Sequence, residues 1–149
     1  MCLKIDNSVT LPKPNKKGLI KGYKKVSITA NSAASINYPN YQWQAGWNYS
    51  GRTNPTLTLN EKTTRIVSNG LHVYKHNEGR LKGLPPYYQY AKLRVYFKPE
   101  DVIAKGVTDK RFSFFKSKSF VVTKVFVEKR EFQRLRKFME IRKRKLQCA

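Results

Sequence analysis

Few residues of this 149-residue chain are of a kind to do covalent chemistry. His72 and His76 stand four apart, which on a strand puts both on one face. No cysteine lies close by in the sequence, and Glu78 alone does not complete a tetrahedral zinc set, so no metal site is expected. Cys2 and Cys148 sit at opposite ends of the chain and bridge only if the termini meet. Removal of Met1 would leave Cys2 as an N-terminal nucleophile, a role that needs a supporting fold. There is no glycine-rich phosphate loop, no paired-cysteine spacing and no nucleophile elbow. The 9 Asp/Glu are spread widely, which makes a two-carboxylate or two-metal hydrolytic site hard to assemble. The expectation is therefore a non-enzymatic protein with no catalytic residues, no metal and no cofactor.

What the residue types can do is bind anions. From Lys129 to Lys145 nine Lys/Arg stand against two Glu. At 100° per residue Arg130, Arg134, Lys137 and Arg144 share one helix face, with Lys145 beside them, while Phe132, Leu135, Met139 and Leu146 share the opposite one. The cationic end also suits the negative pole of a helix dipole, which gives the lysines and arginines at 142–145 a structural reason to be there. A second group, Lys92, Arg94 and Lys98, alternates with Leu93, Val95 and Phe97, as on a strand whose outer face is cationic. Trp43 and Trp47 lie in a stretch of low charge rich in Asn, Ser, Tyr and Pro. Two readings stand for them. Exposed aromatics beside Lys or Arg stack on unpaired bases; buried ones pin a loop to the core. Packing is expected for at least one. The candidate nucleic-acid-binding set is thus Arg130, Arg134, Lys137, Arg144, Lys145, Lys92, Arg94, Lys98, Trp43 and Trp47.

The elements that must carry these residues read as one α+β domain: a mixed, mostly antiparallel sheet of about five or six strands with a C-terminal basic amphipathic helix. Residues 1–18, with LPKPNKK, read as an extended arm. Residues 19–128 read as sheet and loops, and 129–147 as the helix. Leu19–Ile28 is the first substantial strand, with Gly22 as a bulge. Residues 42–49 form a short strand. Thr63–Ser68 and Leu71–His76 flank Asn69-Gly70, a strong hairpin signal; the alternative is a strand that ends at a turn before the next. Asn77–Tyr90 reads as a loop. Pro99-Glu100-Asp101 opens a short helical turn in which Val102 and Ile103 pack and which Gly106 ends. Asp109–Ser117 reads as a basic turn or short strand. Phe120–Val127 is β-branched or aromatic apart from Lys124, as in a central strand covered on both faces.

Composition bounds the partner. With 40% hydrophobic and 13% aromatic residues the chain can build a core. Its formal net charge of +22 is far beyond what solubility needs and favours a polyanion. Aromatic-rich surroundings point to nucleic acid, DNA or RNA, rather than a membrane. No apolar run reaches the length of a signal peptide or a bilayer span, and no disulfide framework is present, so a cytoplasmic location is expected.

The segments MCLKID, GYKKV, WQAG followed by Glu61, NGLHV, LRVYFKPEDVIAKG and VVTKVFVEK, in that order, resemble small uncharacterised proteins of tailed phages and related mobile elements. The resemblance covers roughly residues 1–128 and leaves out the basic helix. It implies a phage origin and a role in host takeover or counter-defence, and it carries over no catalytic residues. A weaker similarity, through the Tyr-Lys strand and the Gly-x-His-Val step, is to ADP-ribosyltransferase-like folds. Those place a His or Arg on an early strand and a Glu on a late one around NAD; here Lys24 stands at the early position, with Glu128 as the late acid. Three functions follow: a nucleic-acid-binding accessory protein, an inhibitor or adaptor docking on an acidic or RNA-containing host complex, and an ADP-ribosyltransferase-like enzyme.

Overall fold

The structure, a computed structural model, describes residues 3–28, 33–35, 42–50, 57–59, 65–67, 70–76, 90–108 and 117–147. The side chains of Phe138, Met139, Lys145 and Leu146 lie outside that description, as do Cys2, Cys148 and the stretches at 77–89 and 109–116.

Alternation of side chains is what builds the sheet. Its strands are β1 (Leu3–Ile5), β2 (Ile20–Ile28), β3 (Ala33–Ser35), β4 (Gln42–Trp43), β5 (Gly46–Tyr49), β6 (Leu57–Leu59), β7 (Arg65–Val67), β8 (Leu71–Tyr74), β9 (Tyr90–Phe97), β10 (Val102–Thr108), β11 (Lys118–Val122) and β12 (Lys124–Val127), followed by the helix α1 (Lys129–Gln147). The order is β5-β12-β9-β2-β8-β11-β10-β1-β7-β6, with β3 pairing β2 and β4. The fold is α+β, and each described strand pairing is antiparallel. The sheet has more strands than the sequence suggests, because segments of two to four residues are hard to see by periodicity.

One face of the sheet is the core. Ala91, Leu93, Val95 and Phe97 of β9 sit on it, opposite Val26, Lys24, Gly22 and Ile20 of β2 in register. Leu71 and Val73 of β8, Phe120 and Val122 of β11, Val125 and Val127 of β12, Val9 and Trp43 join it. Phe97 and Phe120 meet with ring centroids 5.7 Å apart. α1 closes this core with Leu135, which is buried, and Phe132. A smaller cluster of Leu3 and Val121, with Ile5, Ile103 and Ala104, covers the other side near β1, β10 and β11.

Five local expectations are corrected. Residues 1–18 are only partly an arm: Leu3–Ile5 is a strand inserted between β10 and β7, and Val9 is buried. β7 and β8 do not form a hairpin across Asn69-Gly70; β7 pairs β1 and β6 while β8 pairs β11 and β2. Gly70 still needs its left-handed backbone, at φ 86. Gly22 is no bulge, since the β2–β9 register is unbroken; a Cβ there would run into Val73 Cγ1. The segment after the 3-10 turn Pro99–Asp101 is strand β10 rather than more helix, with an irregularity between Val102 and Ala104. Gly106 lies inside it because a Cβ would run into the Lys4 backbone of β1. Finally, Phe120–Val127 is shared between two strands, β11 and β12. Thr123 breaks the run: its N–H donates to Asp101 O and its C=O accepts from Ser50 N–H.

Candidate nucleic-acid interface

The parity that buries one side of β9 and β2 presents the other. On β2 the outward positions are Lys21, Tyr23 and Lys25; on β9 they are Lys92, Arg94 and Tyr96; on β12, Lys124 and Phe126; on β5, Trp47 and Tyr49. Register places Lys21 beside Tyr96, Tyr96 beside Phe126 and Phe126 beside Trp47, a single row across four strands. Among the described residues these outward positions hold no carboxylate. Glu128, one residue past β12, borders the face; it accepts the Tyr96 hydroxyl and pairs with Arg130 at 2.6 Å.

Three features of the face bear on anions. Lys25 and Lys92 are direct cross-strand partners, a like-charge arrangement that destabilises a sheet. Burial holds the Lys25 ammonium below its ordinary pKa, and Lys92 pushes it further the same way. Lys25 Nζ lies 5.2 Å from the Tyr74 ring centroid, and Lys21 Nζ 5.9 Å from that of Tyr23. Trp47 has Lys124 Nζ at 4.8 Å and Lys98 Nζ at 5.7 Å from its centroid, with Phe126 in an edge contact at 5.5 Å.

The local chain explains why Trp47 faces outward and Trp43 inward. Asn48 is buried and ties the turn together: its Oδ1 accepts Gln44 N–H at 2.9 Å, and its Nδ2 donates to Gln44 O and Gly46 O. Gly46 supplies φ 91 at the start of β5. β4 and β5 are therefore separate strands, and the two indoles go different ways. Trp43 is 4% exposed in the main core, which removes it from the stacking candidates; Trp47 is half-buried on the outer face.

The helix residues divide. Arg134 does not point freely to solvent. Its Nη2 donates to Glu131 Oε1 at 2.6 Å and to Lys92 O at 3.3 Å, and its Nε to Glu131 Oε2. Glu131, 5% exposed, accepts Arg94 N–H at 2.9 Å. Burial pushes the Glu131 carboxyl up, but Arg134 and the Arg94 N–H together outweigh it and hold it below the usual carboxylate range. β12 leaves β9 after Phe126, and this side-chain pair supplies the next acceptor and donor along the β9 edge. Arg130 is bound to Glu128. Lys137 and Arg144 are exposed; the Lys145 side chain lies outside the described residues. Lys92, Arg94, Lys98 and Trp47 thus come together on one face, with Arg130 at its border.

The β9 alternation also places Tyr96 on this face beside Lys92, Arg94 and Lys98; sequence reasoning missed Lys21, Lys25, Lys124, Tyr23 and Phe126 as its other members. Lys24 lies on the opposite side. Its Nζ donates to His72 O at 2.9 Å, and desolvation lowers its pKa to about 8. Lys24 and Glu128, the NAD-site pair of the weaker similarity, are therefore on opposite faces of the sheet. His72 is buried with Nδ1 near Gly70 O, and His76 is exposed; among the described residues no group of three metal-ligand types gathers. No helix among the described residues is long and apolar enough to cross a membrane. No protein-family model matches the chain, and no curated protein or solved structure matches it either.

Proposed function

We propose that the chain is a non-enzymatic nucleic-acid-binding protein that holds a phosphate backbone against the outer face of β2, β9, β12 and β5. It is an accessory protein of the kind tailed phages encode for host takeover or counter-defence, acting in the host cytoplasm. The observation that carries the reading is the Lys25–Lys92 cross-strand pair on a face without carboxylates at its described outward positions. A sheet holding only itself together gains nothing from opposed lysines; a bound phosphate relieves their repulsion and is in turn neutralised by them. The overall charge of +22 extends the attraction to long range and raises the encounter rate.

The experiment is a pull-down from host lysate with and without nuclease, joined to a salt titration of purified protein on labelled DNA and RNA. The reading expects nuclease-sensitive capture and affinity falling steeply with salt, at a log–log slope of about −0.7 to −0.9 per neutralised phosphate. Capture of an acidic or RNA-containing host complex that survives nuclease, with no binding to free nucleic acid, would select the inhibitor or adaptor reading instead.

A further inference from the structure

We propose that the nucleic acid is single-stranded, and that the indole of Trp47 is the platform on which an unpaired base stacks. The proposal rests on the nucleic-acid reading above and names its substrate class.

Phosphate attraction alone does not distinguish one strand from two, because lysines meet either backbone. The rings do distinguish them. Tyr96, Phe126 and Trp47 follow one another along one row of the outer face, with Tyr49, 60% exposed, one row further on. A duplex presents its bases edge-on in grooves and keeps their faces stacked on each other. A ring on a sheet face therefore finds a partner only when bases are unpaired and splayed. Trp47 meets the geometric needs of such a platform. Phe126 holds its edge at 64° between ring planes, and the Asn48-bound turn fixes its backbone. The charges beside it are the two ammonium groups of Lys98 and Lys124. A base stacked on an indole is worth more than an exposed cation–π contact, so an incoming base displaces a lysine from the ring. The displaced ammonium stays within reach of the phosphates flanking that base. Cations parked on the ring of the free protein thus become the backbone contacts of the complex.

The test compares two variants that keep apolar bulk against Phe126. Trp47→Tyr retains a ring and Trp47→Leu does not; melting curves check that each is folded. Both are titrated beside the wild type with fluorescent oligothymidylate, oligouridylate and a duplex of equal length at one salt concentration. The wild type is expected to prefer the single strands. Trp47→Leu should lose roughly 5- to 150-fold on them, the worth of one stacked base, with duplex affinity unchanged, and Trp47→Tyr should stay near the wild type. The thymidylate and uridylate arms tell DNA from RNA. Ultraviolet cross-linking of oligothymidylate to the wild-type protein gives a readout independent of any variant, with adducts expected in 46–49 or 124–126. Equal loss of single-strand and duplex binding, full binding by Trp47→Leu, or adducts confined to α1 would overturn the platform and leave the nucleic-acid reading standing. A wild type that binds no nucleic acid would overturn both.

Discussion

At the scale of single residues, the most informative position is Lys24, a lysine in the row that should be apolar. It stands between Gly22 and Val26 on the core side, and β2 keeps only the Tyr23–Tyr74 pair with β8 before turning to β3 at Val26. Its ammonium fills the gap by donating to His72 O. Desolvation lowers its pKa to about 8 from 10.5. In the unfolded chain the amine keeps its proton up to about pH 10.4, whereas in the folded protein it loses it near 8. Between those values the unfolded state binds more protons, so stability rises with pH there, and the gain is lost as pH falls through about 8. The full effect is on the order of 3 kcal/mol. Lys24→Met should raise the melting temperature at pH 7 and flatten the rise between pH 8 and 10; an unchanged pH profile would show that the amine is hydrated. Lys92→Glu tests the outer face in the opposite sense. It turns the Lys25–Lys92 repulsion into an opposite-charge pair and should stabilise the fold by a few tenths to about 1 kcal/mol, yet weaken nucleic-acid binding. A variant that is more stable but binds less well separates function from folding.

At the scale of elements, α1 is tied to the sheet by one ion pair as well as by its apolar stripe. Its first turns dock through Phe132 and Leu135 below and through Glu131–Arg134 along the β9 edge. Glu131→Ala leaves Arg94 N–H without an acceptor and should cost about 1–3 kcal/mol; Leu135→Ala should cost about 2–5 kcal/mol. Because the Glu131 carboxyl is held below its usual pKa, the stability it contributes is present at neutral pH and lost as pH falls below 4.5 through the lowered value. Glu131→Gln should blunt that acid transition in a melting series. Lys137→Gln and Arg144→Gln should leave the melting temperature unchanged, while Arg134→Gln should lower it. The helix and β9 were legible in the sequence because periods of 3.6 and 2 run long enough there to be read. The docking of Glu131 was not, since an acid among many bases on a helix looks like a solvated i,i+3 partner. Trp43 and Trp47 were equally ambiguous: four apart, they would share a face on one strand, and only Gly46 and Asn48 between and beside them signal the break. β1 and β10 were misread because three residues carry no period and because Gly106 looks like a helix stop when it is a close approach to Lys4.

At the scale of the whole molecule, one sheet does two jobs on its two faces. Its core side carries nearly all the packing in the β2–β9–β12 region, which leaves the outer side free to collect charge that a sheet buried on both faces could not tolerate. The candidate face was half visible in the sequence: Lys92, Arg94 and Lys98 follow from the β9 alternation, but their neighbours on β2, β12 and β5 depend on strand order, which no local pattern encodes. The charge of +22 then sets a prediction for the molecule as a whole. Self-repulsion destabilises the free fold, so salt should raise its melting temperature by screening, as the Debye length shrinks from about 10 Å at 0.1 M to about 3 Å at 1 M. The same salt should weaken the complex. Five phosphates on a single strand give a log–log slope of about −3.5. Stabilisation by added oligonucleotide, about 2.7 kcal/mol at a hundred times the dissociation constant, should therefore be large at low salt and vanish at high salt, while the free protein grows more stable along the same axis. Melting curves with and without oligothymidylate across a salt series read both trends at once. Two curves that converge as salt rises, the free one climbing and the bound one falling, are the expected result. A free protein that salt destabilises would mean that ion pairs such as Glu131–Arg134 outweigh the net repulsion, and a gap that persists at high salt would mean that phosphates are not what the face binds.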